Sequence, residues 1–252
     1  MAHIIAVTNQ KGGVGKTTTC CSLVSGLHMK GYRVLGVDLD PQGNLGFSLG
    51  LDIENGLTVY DLLKGDLTAR EAIRSTAYGD VLPSNILLSS SELEFNRSGR
   101  EFLLQNALSS VKNDYDFIII DTPPALNILT VNAYVTSNSL IIPMIPEVLS
   151  LLGISQLKDT IDIVKKFYNN ELRILGILLT KYNRSLNLVK EVEDLTAAIA
   201  EQLETNIFNA RIRNNVAVAE APAHGQSVLT YAPRSNAAAD FNALIKEICI
   251  NV

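Results

Sequence analysis

Apolar residues along this chain follow two rhythms. Short unbroken runs, His3 to Thr8, Arg33 to Val37, Tyr115 to Ile120, Ser139 to Pro143 and Leu172 to Thr180, have the length of strands buried on both faces. Between them lie stretches whose apolar positions recur every three or four residues. Thr17 to Lys30 reads as a helix that stops at Gly31, since glycine accepts the left-handed turn that ends a helix. Leu149 to Tyr168 predicts a second, with Leu152, Ile154, Leu157, Ile161, Val164 and Phe167 on one stripe. Leu188 to Leu203 predicts another, and Phe241, Leu244, Ile245 and Ile248 mark a C-terminal one. From Pro41 to Asn113 the pattern is less regular. Thr58 can cap a short helix through Lys64, Thr68 another through Arg74, and Glu101 to Val111 carries a helical stripe. Strand, helix and strand follow one another before Pro41, a βαβ unit, and the alternation continues to the end. The pattern predicts an α/β fold, a doubly wound, mostly parallel sheet flanked by helices, as a single domain over 1–252. No internal repeat, low-complexity tract or linker interrupts it.

Composition narrows the class. With 252 residues, 47% hydrophobic and 19% charged, the chain can bury a large core. A net charge of −5 gives no global positive field that would draw it onto nucleic acid. Cys20 and Cys21 are adjacent and Cys249 is remote, which fits neither a disulfide framework nor a CxxC metal site; reduced thiols in a cytosol are expected. The N-terminus, MAHIIAVTNQKGG, lacks the form of a signal peptide. The most apolar region, Leu140 to Ile154, is broken by Pro143, Pro146 and Glu147, so no membrane span and a cytoplasmic location are expected. His3, His28 and His224 make no cluster, and His224 is expected to pack or hydrogen-bond within its turn.

The decisive segment lies between the first strand and the first helix: Lys11-Gly12-Gly13-Val14-Gly15-Lys16-Thr17-Thr18. Its glycines let backbone N–H groups converge on phosphate oxygens without Cβ obstruction. The helix N-terminus adds unpaired donors and the positive end of its dipole. Lys16 can supply a cation to β- and γ-phosphates, and the Thr17 hydroxyl a ligand to Mg²⁺. Asp121, at the tip of another buried strand, stands where a carboxylate can hold the Mg²⁺ shell. An ordinary phosphate-loop pattern requires glycine where Gln10 stands; here a second lysine, Lys11, opens the loop instead.

That loop is the deviant Walker A signature, and the chain resembles the ParA/MinD group of P-loop ATPases, ParA/Soj partition ATPases in particular. The resemblance extends over TNQKGGVGKTTT at Thr8–Thr19, VDLDPQGN at Val37–Asn44 and YDFIIIDTPPALNILTVNA at Tyr115–Ala133. It continues through GILLTKYNR at Gly176–Arg184 and AEAPAHGQSVLTYAPRS at Ala219–Ser235. It implies ATP and Mg²⁺ as cofactors, and two subunits sandwiching two ATP molecules, with Lys11 crossing to the partner's nucleotide as an arginine finger does. Gly12, Gly13, Val14, Gly15, Lys16, Thr17 and Thr18 would cradle the phosphates. Asp40, at the segment matching switch I, would orient or take a proton from the attacking water. Asp38 would serve the Mg²⁺ shell or fix the loop, and Asp121-Thr122-Pro123-Pro124 matches Walker B and switch II. By the same resemblance Asn183 would pair with adenine. The family's Ile-Pro-Arg-Asn becomes Ile212-Arg213-Asn214-Asn215, leaving Arg213 as a stacking lid over the base.

The resemblance also implies a homodimer when ATP is bound, a ParB-type stimulator and non-specific DNA binding, the last through Lys158, Lys165, Lys166, Lys181, Arg184, Lys190, Arg211, Arg213 and Arg234. Two positions depart from the family's basic face, Ser185 and Ala217. A MinD-like membrane anchor would need a basic amphipathic C-terminus, which DFNALIKEICINV does not offer. An iron–sulfur role would need cysteines after both switch segments, where none stands. The alternatives are a metabolic ligase of the dethiobiotin-synthetase type, which shares loop and fold, and a MinD-like ATPase that positions a protein cargo.

Overall fold

The computed structural model describes residues 2–146, 154–183 and 189–251. One eight-stranded sheet organises them. In chain order its strands are β1 (His3–Val7), β2 (Val34–Asp38), β3 (Arg74–Thr76), β4 (Gly79–Leu82), β5 (Phe117–Asp121), β6 (Ser139–Met144), β7 (Arg173–Tyr182) and β8 (Ile207–Arg213). Across the sheet the order is β3-β4-β2-β5-β1-β6-β7-β8, parallel throughout except for the β3–β4 hairpin at one edge. The helices are α1 (Lys16–Met29), α2 (Asn44–Ser48), α3 (Val59–Lys64), α4 (Ala69–Ala72), α5 (Ser91–Glu94) and α6 (Leu103–Leu108). They continue with α7 (Ile128–Thr136), α8 (Ile154–Phe167), α9 (Val189–Gln202), α10 (Ala217–Glu220), α11 (Val228–Tyr231) and α12 (Asn236–Asn251).

Two cores result from the alternation of side chains along buried strands. In β5, Ile118 and Ile120 join the core beneath α3, α6, α7 and α8, while Phe117 and Ile119 join the other, beneath α1 and α12. This is why the run Phe117 to Ile120 carries no polar residue: each face of the strand meets a helical layer. The helices on the second face approach closely. A Cβ added at Gly26 of α1 would fall 2.2 Å from Ile245 Cδ1 of α12, so only glycine permits this packing distance.

Several predicted boundaries shift. The helix expected from Thr68 through Arg74 ends at Ala72, and Arg74–Thr76 pairs as a strand with β4. Thr58 caps α3 reciprocally with Asp61, and Thr68 caps α4 in the same way with Glu71, so both starts agree with the sequence. The stripe expected from Glu101 to Val111 begins as a 3-10 turn, Arg100–Phe102, before α6. Within the predicted helix Leu149 to Tyr168, residues 149–153 lie outside the described residues, and α8 occupies Ile154–Phe167. The strands β4 and β8 and the helix α7 were not anticipated. Among the described residues no helix is long and apolar enough to cross a membrane.

The strand order places the site. From β1 the chain crosses over β5 to β2, while β6, β7 and β8 extend the sheet on the other side of β1. The crevice at the carboxyl end of β1 is therefore a topological switch point, where open α/β sheets bind ligands.

Candidate functional site

The loop from Lys11 to Gly15 leaves β1 at that crevice and turns into α1 through Gly13 and Gly15, whose φ angles are 74° and 91°. These left-handed values are strained for residues with a Cβ, which is why the turn uses glycine. Asn9 fixes the start of the loop: its Oδ1 accepts the Lys11 N–H at 2.9 Å, and its Nδ2 donates to the Pro143 carbonyl at 2.8 Å. Thr180 fixes the middle, its hydroxyl donating to the Val14 carbonyl at 2.8 Å. Lys16 is only 7% exposed, with Nζ 3.4 Å from the Lys11 carbonyl. Burial lowers its pKa, against the pull of Asp121 and then Asp40, so the loop holds a desolvated cation among carboxylates.

The acidic residues divide by their partners. Asp38 and Asp121 are register neighbours at the ends of β2 and β5, and both are fully buried. Asp38 Oδ1 accepts the Asp40 N–H at 3.0 Å and its Oδ2 the Leu45 N–H at 2.9 Å. Its two oxygens are thus taken by the loop that carries Asp40. Those two bonds hold the segment from Asp40 to Leu45 against Asp38. Asp121 is the opposite case. Thr17 and Cys20 lie beside it and pull weakly on it, but no donor reaches either buried carboxylate oxygen with the geometry of a full hydrogen bond. Burial, reinforced by Asp40 against the pull of Thr17 and Lys16, holds its carboxyl above the usual carboxylate range. A buried acceptor pair without donors, beside a hydroxyl and an ammonium, fits a hard cation whose remaining ligands come from phosphate and water.

Lys16, Thr17 and Asp40 face a cavity of about 420 Å³, while Asp38 and Asp121 are fully buried and do not line it. Its phosphate end is Gly12, Gly13 and Gly15 to Thr19, and Asp40, only 8% exposed, stands on its wall with Asn44 and Pro124. Asp40 Oδ1 accepts the Gln42 N–H at 3.0 Å, which directs the carboxyl group within its own turn. The other end is Thr180, Lys181, Ile212 to Asn215, Val218, Ala219 and Phe241.

The two residues expected at the base differ in placement. Asn183 is exposed beyond the end of β7 and does not line the cavity, whereas Thr180 and Lys181 do. Arg213 lines it, with its guanidinium paired. Its Nη2 and Nε bind the Asp240 carboxylate of α12 at 2.6 and 2.9 Å, and its backbone N–H reaches the same carboxylate at 3.0 Å. A bidentate pair anchored on a helix holds the guanidinium at the rim. Asn44, Thr180 and Phe241 are cavity residues that the sequence reading missed, whereas Asn214 stands in the segment Ile212 to Asn215 that it named. Asn44 had a local signal, following the Asp40 segment directly; Thr180 and Phe241 come from a distant strand and helix.

The basic candidates are divided among α8, β7, β8 and the turn before α12. Lys158 pairs with Asp162 at 2.5 Å, Lys166 lies 5.0 Å from the centre of the Phe167 ring, and the Arg211 guanidinium lies 5.6 Å from that of Tyr182. Arg184, Ser185 and the Lys190 side chain lie outside the described residues.

The profile of a family described as AAA domain matches residues 2–174. The sporulation initiation inhibitor protein Soj of Bacillus subtilis (strain 168) is 42% identical over 258 residues, covering 100% of both chains. The chromosome partitioning protein ParA of Myxococcus xanthus is 37% identical over 252 residues, 98% of this chain and 88% of that protein. Among solved structures, that of cobyrinic acid a,c-diamide synthase from Mycobacterium smegmatis with bound ATP analog and magnesium is similar. It has a TM-score of 0.80 and 34% identity, over 94% of this chain and 98% of that one.

Proposed function

The chain belongs to the ParA/Soj family of partition ATPases, and from that premise we propose that it is an ATP-dependent dimerising switch. It hydrolyses ATP slowly with Mg²⁺, binds DNA without sequence preference in the ATP state, and positions or segregates a DNA cargo under a ParB-type stimulator. It works in the cytoplasm, on the nucleoid when ATP-bound.

One observation carries the nucleotide part of this reading: a desolvated Lys16 ammonium lines the cavity at the phosphate loop, and an unpartnered Asp121 carboxylate is buried close enough to pull on it. Each is costly alone, and a phosphate–cation pair satisfies both. The loop's N–H groups and Lys16 hold the phosphates. Thr17 and Asp121 would hold Mg²⁺, which when bound offsets charge on the β- and γ-phosphates. Asp40 orients the attacking water and accepts its proton, and Asp38 keeps Asp40 in place through the 3.0 Å bond to its backbone. Lys11 reaches the nucleotide of a second subunit, which makes ATP a condition of dimerisation. The attack is in line on the γ-phosphate, with charge spread over its oxygens.

The similarity to a structure named as a diamide synthase favours a second reading, ATP-driven activation of a small carboxylate. One experiment separates the two: titration of duplex DNA with ATP, ADP or no nucleotide at two salt concentrations, beside an ATPase assay. Binding that needs ATP and weakens with salt supports the partition reading. Absence of binding at low salt with ATP, in a protein that hydrolyses ATP, refutes DNA binding and favours the second.

A further inference from the structure

The phosphate loop is held from outside itself by a residue for which the nucleotide chemistry above has no role. Thr180 sits near the end of β7, 5% exposed and 166 residues from the loop it touches. Its hydroxyl lies 2.8 Å from the Val14 carbonyl and 3.3 Å from that of Met144, so the single hydroxyl proton goes to the nearer acceptor. Val14 is fully buried, which denies its carbonyl a water partner. The Thr180 methyl group lies on the other side of the contact, 3.7 Å from where a Cβ on Gly15 would stand.

The consequence follows from peptide geometry. No peptide bond in the described chain is cis, so the Gly15 N–H points opposite to the Val14 carbonyl. Holding that carbonyl on Thr180 therefore fixes the direction of the Gly15 N–H at the cavity that Gly15 and Thr180 both line. Gly15 is also the residue before α1, with φ of 91°, a conformation from which the peptide can flip readily because glycine allows both signs of φ.

We propose that Thr180 is a positioning residue for phosphate binding: its hydroxyl locks the Val14–Gly15 peptide so that the Gly15 N–H faces the phosphates. The proposal rests on the ATP reading of the cavity. It concerns a residue that touches the loop backbone rather than the reacting atoms.

The test compares wild type with Thr180→Val, which keeps the branched shape without the hydroxyl, and Thr180→Ser, which restores the hydroxyl. Affinities for Mg·ATP and for magnesium tripolyphosphate, which has no base, are measured by calorimetry beside thermal melting of the apo proteins. An unpaired buried carbonyl and a misdirected donor predict roughly tenfold weaker binding of both probes by T180V, with T180S within about threefold of wild type. The apo melting temperatures should not account for the loss. Equal affinities in wild type and T180V, a loss confined to ATP with tripolyphosphate unaffected, or a failure of T180S to recover would each overturn the proposal. Failure of wild type to bind either probe would instead overturn the ATP reading on which it rests.

Discussion

Replacing Asp121 by asparagine should move stability and ligand response in opposite directions. In the wild-type apo protein the Asp121 carboxylate is buried beside Asp38 and Asp40, with neither oxygen hydrogen-bonded. An unsatisfied buried acceptor costs about 1–3 kcal/mol, and two such oxygens more, while attraction to Lys16 recovers part. The raised pKa shows that the balance still disfavours the ion. D121N removes the charge at nearly constant volume, and a net gain of about 2 kcal/mol is expected. For a chain of this size that corresponds to a rise of about 4–8 °C in apo melting temperature. The pH dependence fixes the sign. A carboxyl whose folded pKa lies above its unfolded value of about 3.8 contributes full stability below the unfolded value and loses it as pH rises through the folded one. The gap between D121N and wild type should therefore be widest at neutral pH and close toward pH 4. With Mg·ATP the advantage of the variant should shrink. At a hundredfold its dissociation constant the ligand stabilises wild type by about 2.7 kcal/mol, and the variant, lacking the metal-facing charge, should show less than half that shift. Calorimetric melts of both proteins with and without Mg·ATP, at pH 4.5 and pH 7.5, provide the assay. If apo D121N melts at or below wild type at pH 7.5, the inference from the orphaned carboxylate to a cation site fails.

Other outcomes follow from the same geometry. Asp40→Ala should leave ATP affinity within a few-fold of wild type and lower turnover about a hundredfold or more; normal turnover in single-cycle kinetics would remove Asp40 from the reaction. Arg213→Ala, Asp240→Ala and the double variant should melt at the same lowered temperature, because either change breaks one pair; additive losses would show that the two act independently. His3 donates or accepts one bond with Ser139 at 3.0 Å, and burial, aided by Arg173, lowers its pKa to about 4. The folded state then binds fewer protons than the unfolded one, so stability should fall as pH drops from about 6.5 toward 4. His3→Asn should flatten that part of the stability–pH curve, and an unchanged slope would show that His3 is not its source.

Local chemistry was enough for much of the site. Glycines at the φ-positive corners, a lysine at the head of a helix and carboxylates at strand ends are each written in a few consecutive residues, and their positions in space follow from that spacing. The same holds for the buried strands, where two flanking layers exclude polar side chains. The irregular middle was harder because its strands are short: Arg74–Thr76 is three residues long and takes its conformation from pairing with β4, not from its own pattern. The strand β8 was hidden for a similar reason. Its residues alternate between buried and partly or fully exposed at the sheet edge, which interrupts the apolar run that marked the central strands.

What the amino-acid order decided alone was the phosphate loop, its two lysines, the parallel architecture and, by resemblance, the family. Those depend on backbone freedom and on hydrophobic period, both properties of near neighbours. Which carboxylate remained open to a cation, which arginine was already paired and which threonine held the loop were decided only in three dimensions. Each depends on a partner brought up by the sheet: Leu45 and Asp40 for Asp38, Asp240 for Arg213, Val14 for Thr180. A side chain's chemistry is set by what fills its hydrogen bonds, and the chain distance to that partner can be as long as the 166 residues between Val14 and Thr180.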